Sequence, residues 1–179
     1  MIRNLVLFLS LSVLIACGNA DDLDEAPVDL GNFSLGHNVV VAPNLTKGPV
    51  SREASKEEWT DAMTDAIEAR FGRYEGDKVY HFGVSVEGYV LAQRGIPLVA
   101  SPKSILIFNL TVWDDAADKK LNEEVKQITV IESFGGDTLV GSGYTKTGEE
   151  QMQQLARIAA KEIERYLVRQ NYEQGWFKD

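Results

Sequence analysis

Val79-Tyr80-His81-Phe82-Gly83-Val84-Ser85-Val86-Glu87-Gly88-Tyr89-Val90-Leu91-Ala92-Gln93 decides the fold class. Tyr80, Phe82, Val84, Val86, Val90 and Ala92 fall on one side of a two-residue alternation. His81, Ser85, Glu87 and Gln93 fall on the other. Period two over this length predicts a long strand with one buried face. Gly83 and Gly88 leave room for a bend or bulge.

The neighbours of this strand extend it into a sheet. Ser104 to Trp113 alternates again, with Leu106, Phe108, Leu110 and Val112 inward. Asp114 to Glu124 reads as a polar turn. Gln127 to Phe134 places Ile128, Val130 and Phe134 on one face. Gly135-Gly136-Asp137 marks a hairpin to a fourth strand, Thr138 to Tyr144. Upstream, Val39-Val40-Val41 forms a short strand before Pro43-Asn44.

Two helices flank the meander. Ser55-Lys56-Glu57-Glu58 is a capping box, as is Thr147-Gly148-Glu149-Glu150. After the first, Trp59, Met63, Ala66, Ile67 and Arg70 or Phe71 repeat at helical spacing to Gly72, a stop where a left-handed residue is cheap. After the second, Met152, Leu155, Ala156, Ala159, Ile163, Tyr166 and Leu167 form a stripe ending near Arg169. Two one-sided helices need one sheet face to cover. The expected fold is therefore α+β: a two-layer sandwich, strand–helix–four-strand meander–helix, mostly antiparallel, with two helices on one face. The sequence leaves the first strand's place in the sheet open, with parallel pairing through a crossover as one option.

The 179 residues carry a net charge of −9, with 18 basic against 27 acidic side chains. That balance argues against a nucleic-acid partner, since no basic surplus exists to neutralise phosphates. A single cysteine excludes an intrachain disulfide and a cysteine-based zinc site.

Residues 1–16 have the zones of a secretory signal. Arg3 precedes an apolar run, Leu5 to Ala16, too short to span a bilayer as a helix. The run ends in Leu14-Ile15-Ala16-Cys17, and Cys17 is the one cysteine. This resembles the lipobox of bacterial lipoprotein precursors, with Ile15 bulkier than the commonest residue at its position. The resemblance implies cleavage before Cys17, thioether lipidation and acylation (palmitate among the chains), and hence a membrane partner reached through Cys17. Gly18, in place of the Asp that retains such proteins at the inner membrane, favours the periplasm-facing inner leaflet of the outer membrane.

Residues 17–36 then read as an acidic, flexible tether containing Asp21, Asp22, Asp24, Glu25 and Asp29. Fully extended, it would span roughly 60 Å. Residues 37–179 read as one domain. Its element order resembles small envelope accessory lipoproteins, such as auxiliary lipoproteins of ABC-type transporters, the lipopolysaccharide-assembly lipoprotein and activators of penicillin-binding proteins. That likeness implies a non-catalytic accessory or scaffold role in the cell envelope, through contact with a protein partner. A periplasmic binding module for a lipid or other amphiphile is the alternative.

Candidate chemistry is sparse. His37 and His81 are the only histidines, and no spacing forces a carboxylate toward them. Gly141 to Thr147 lacks both glycines of a phosphate-binding loop, and Asp114, Asp115 and Asp118 miss the alternation of a calcium loop. No cofactor, metal or catalytic set is therefore expected. An enzyme built from Glu87, Asp114 and Glu132 would need these acids to converge in one cleft. Glu132 interrupts an inward face and needs a partner or a sheet edge. The candidate contact surface is the apolar hairpin tip Ile96, Pro97, Leu98 and Val99, with Trp176 and Phe177 of the tail; the competing reading packs Tyr172, Trp176 and Phe177 back on the domain.

Overall fold

The computed structural model describes residues 20–93, 103–132 and 146–178. Its elements are β1 (Ser34–Val41), β2 (Thr46–Lys47), α1 (Lys56–Phe71), β3 (Val79–Val90), β4 (Ile105–Asp114), β5 (Lys119–Lys120), β6 (Lys126–Ile131) and α2 (Gly148–Gln174). The fold is the expected α+β class: among the described residues, a six-stranded, mostly antiparallel sheet with both helices packed on it. Cys17, the loop with Ile96, Pro97, Leu98 and Val99, and the expected fourth meander strand lie outside the described residues.

β3 is the hub of the sheet. β4 runs antiparallel along it from Tyr80–Asp114 to Val90–Ile105. β1 and β2 both pair parallel to the other side of β3, which settles the place of the first strand. β6 and β5 pair antiparallel with β4. The buried row Tyr80, Phe82, Val84 and Val86 faces the helices, with Leu106, Phe108, Leu110 and Val112 beside it. From above, Trp59, Met63 and Ile67 of α1 and Leu155, Ala159 and Ile163 of α2 complete the core. Each Val, Leu, Ile, Met or Phe side chain among these contributes roughly 1.5–3 kcal/mol through burial.

A bulge falls between Val86 and Gly88, and it resets the alternation. Beyond it Tyr89, not Val90, enters the core, and the Tyr89 hydroxyl joins Ala54 N and O at 2.9 Å each. Both expected capping boxes form, at Ser55–Glu58 and Thr147–Glu150. Gly72 is right-handed (φ −65°), contrary to expectation, because the chain turns tightly back toward Phe33 rather than leaving through a left-handed cap. α2 runs past Arg169 to a left-handed Gly175 (φ 70°).

The expected tether boundary at residue 36 is also corrected. Leu30 and Phe33 are core residues. The Phe33 ring meets Phe71, Tyr74, Tyr80, Phe82 and Phe177 with centroids 5.1–6.1 Å apart. The C-terminal tail closes over the same cluster. Asn32 N donates to Phe177 O at 2.9 Å, Phe177 N donates to Asn171 Oδ1 at 2.9 Å, and Asn171 Nδ2 donates to Leu30 O at 3.0 Å. Phe177 is therefore fully buried, not a contact surface, and Trp176 packs on Tyr166 and Phe177. Only Tyr172 of the tail aromatics stands in solvent, 87% exposed.

Candidate functional site

Among the described residues, three places bring chemistry-bearing side chains together: a polar staple on the helix layer, a histidine pair at one sheet edge, and the sheet face away from the helices.

The staple begins with Arg70, an arginine in the apolar face of α1 that is 1% exposed. Its Nη1 donates to Glu164 Oε2 at 3.1 Å, and its Nη2 donates to Asp22 Oδ1 at 2.6 Å and to Ala20 O at 3.0 Å. Lys161 Nζ bridges the same two acids, at 2.6 Å to Asp22 Oδ2 and 2.6 Å to Glu164 Oε2. The Tyr74 hydroxyl donates to Glu164 Oε1 at 3.0 Å. Two cations face two anions, so the cluster is neutral, which is what makes charge at this depth tolerable. Burial raises the Asp22 carboxyl, but the hydrogen bonds and charges of Arg70 and Lys161 outweigh it and bring it down to about 2. Burial, then the adjacent Glu164 charge, pushes the Tyr74 phenol well above its ordinary range.

The backbone beyond Asp22 is held as well. Arg73 Nη1 donates to Leu23 O and Glu25 O, both at 2.8 Å, and Arg157 Nε lies 3.2 Å from Asp21 Oδ1. Leu23 lines an open cleft of about 520 Å³ between α1 and α2, floored by Ala62, Ala66 and Met152 and rimmed by Asp61 and Asp65. Thus the acidic stretch expected to swing free is fixed on the helix layer from Ala20 onward. The readable signal was Arg70, a charge inside an apolar stripe, which demands a buried counter-ion. Its partner Asp22 is dispersed among five acids in residues 21–29 and carried no such mark.

The histidines converge, which their spacing did not reveal. The close approach at Gly36, where a Cβ would come within 2.4 Å of His81 Nδ1, lets β1 run under the His81 ring. His37 N donates to His81 Nδ1 at 2.7 Å, and His81 Nε2 lies 3.0 Å from Asp115 Oδ1. The two imidazoles stack with centroids 4.8 Å apart. With Nδ1 accepting from an amide, the neutral tautomer carries its proton on Nε2 and donates it to Asp115. Both ring nitrogens are engaged, so the arrangement braces the edge of the sheet. Among the described residues no group of three His, Cys, Asp or Glu side chains is placed to hold a metal ion.

Glu87, Asp114 and Glu132 do not form one site. Glu87 accepts from Asn109 Nδ2 at 2.9 Å at the bulge, and Asp114 accepts from Ala117 N at 2.9 Å at the far end of the β3–β4 ladder. Glu87 lies seven residues along β3 from Tyr80, the ladder partner of Asp114, a separation of roughly 20 Å. Glu132 is buried and paired with Lys146 Nζ at 3.4 Å, which answers the cost of its inward position.

The sheet face away from the helices is uncovered among the described residues. Its centre is polar, a row of Ser85, Asn109 and Gln127 across β3, β4 and β6. Its margins are apolar: Val39 and Val41 on β1 are 56% and 46% exposed, and Ile131 on β6 is 48% exposed beside Ile105. Val50, 55% exposed, adopts φ 55°, a strained backbone for a β-branched residue.

No family model matches this chain. No curated protein matches it either. Among solved structures it is similar to a Xanthomonas campestris protein of the family DUF330, at 14% identity and a TM-score of 0.48, over 80% of this chain and 87% of that one. It is also similar to the PelC dodecamer of Paraburkholderia phytofirmans, at 9% identity and a TM-score of 0.39, over 74% and 89% of the two chains. A third likeness is to a minor lipoprotein of Acinetobacter baumannii, at 15% identity and a TM-score of 0.26, over 74% and 90%.

Proposed function

We propose that this protein is a lipid-anchored envelope protein that works by binding another protein, not by catalysis. The observation that carries the reading is Leu14-Ile15-Ala16-Cys17, with the chain's one cysteine at the lipobox position behind a short apolar run. The open sheet face supports the accessory role. Exposed Val39, Val41 and Ile131 frame hydrogen-bonding side chains, the apolar-and-polar mixture found at protein interfaces. A lipid-binding module has less support, because the centre of that face is polar.

The test has two parts. Cells fed a fatty-acid analogue should label the native protein and not Cys17→Ala, and the variant should leave the membrane fraction. Photo-crosslinkers at Val39 and Ile131 should then capture one envelope protein, which a crosslinker at Glu57 on α1 does not. Label retained in Cys17→Ala rejects the anchor. Crosslinks independent of position reject the sheet face as the contact.

A further inference from the structure

We infer that the outer side of the helix layer, at the cleft between α1 and α2, is the side of this protein that faces the membrane lipid. The inference rests on the anchored reading above and adds an orientation to it. Its basis is how little chain separates Cys17 from the first fixed residues. Ala20 O and Asp22 are bound by Arg70, and Asp22 also by Lys161. Asp21 pairs with Arg157. Four peptide units join Cys17 to Asp21, and they span at most about 14 Å even when fully extended.

The point where the chain leaves the domain lies on the helix side. Leu23 sits in the α1–α2 cleft with Ala62, Ala66 and Met152. The open sheet face lies beyond a helix diameter of about 10 Å and the sheet with its side chains, some 20 Å in all. A lipid on Cys17 cannot stay in the bilayer while the sheet face touches it, since the link is shorter than the domain is thick. The sheet face with Val39, Val41 and Ile131 is therefore turned toward the aqueous side. Had residues 17–36 been free, roughly 60 Å of slack would have permitted any orientation.

The apposed surface is not itself attractive to lipid. Glu57, Asp61, Asp65 and Glu68 line the exposed side of α1, and anionic headgroups would repel them. The short link, not surface charge, holds the cleft near the bilayer, so proximity should be clearest on zwitterionic lipid.

The experiment uses the full lipidated protein extracted from membranes and returned to phosphatidylcholine vesicles that carry a headgroup nitroxide. A fluorophore is attached to Asp65→Cys at the cleft or to Thr129→Cys on the sheet face, Cys17 being blocked by its thioether. The Asp65 probe should be quenched several-fold more than the Thr129 probe. Adding Asp22→Asn, which weakens the staple without burying anything new, should bring the two toward equality. Equal quenching in a sample whose mass shows the lipid overturns the orientation and leaves the anchor standing. Unmodified Cys17 in that mass spectrum overturns the anchor, and the orientation falls with it. A quenching ratio unchanged by Asp22→Asn overturns the staple as its cause.

Discussion

Glu164 is the residue on which the staple turns. It is 1% exposed and receives Arg70, Lys161 and Tyr74 together. Glu164→Gln keeps the size but turns one of the two accepting oxygens into an NH2 donor, and leaves two cations with Asp22 as their only anion among these partners. The expected loss is about 3–5 kcal/mol, the usual result of removing one side of a buried ion pair. Urea unfolding measures it, and a loss below 1 kcal/mol would mean that water already screens the cluster. Val50 sits at the other extreme. At φ 55° its Cβ crowds the following carbonyl, a strain of about 1–2 kcal/mol for an L-residue. Val50→Gly should therefore raise stability by about 0.5–1 kcal/mol after the entropy of the added glycine is subtracted. An unchanged or lower unfolding midpoint would show that the Val50 side chain makes compensating contacts.

Among the elements, the C-terminal tail was the least readable. Phe177 follows a helix whose apolar stripe fades after Leu167, and nothing local says where the ring goes. In the structure it meets Phe33, Tyr80 and Trp176, and its backbone is clamped by Asn32 and Asn171. Phe177→Ala should cost about 3–5 kcal/mol, as for other buried aromatic truncations, and should loosen the Leu30–Phe33 segment with it. Hydrogen exchange at Asn32 and Phe33 reads the second effect; protection unchanged there would separate the tail from the segment. The central elements were legible because their physics is local. Alternation fixed the β3 and β4 faces, and the capping boxes fixed both helix starts. Val90 was placed on the buried face where Tyr89 belongs because a bulge shifts phase by one residue, and the pattern alone cannot show which glycine takes it. The histidine pair and the staple were hidden for another reason. They join residues 44 and 48 positions apart, through contacts that only the parallel β1–β3 pairing and the packed helices create.

For the whole molecule, the acidic segment from Ala20 to Val28 is structural, and this can be separated from the anchor. Two soluble forms, one beginning at Ala20 and one at Val28, both lack Cys17 and differ in the staple and in the Asp21, Leu23 and Glu25 contacts beside it. Without Asp22, buried Arg70 and Lys161 keep Glu164 but lose a charged acceptor each. Hydrogen bonds to charged groups are worth about 1.5–3 kcal/mol, so the shorter form should be less stable by that order. The two forms should also differ in acid. The Asp22 carboxyl lies at about 2 in the folded protein, below its ordinary 3.8. Its stabilisation is therefore complete by about pH 5, above the unfolded pKa, and is lost as pH falls through about 2, below which both states bind the proton. Urea midpoints taken between pH 5 and 2 should converge for the two forms as Asp22 is protonated. A constant gap across that range would assign the difference to packing of Leu23 and the backbone rather than to charge. Equal stability at pH 5 would return residues 20–28 to the role of a free tether, and with it restore the slack that the membrane orientation excludes.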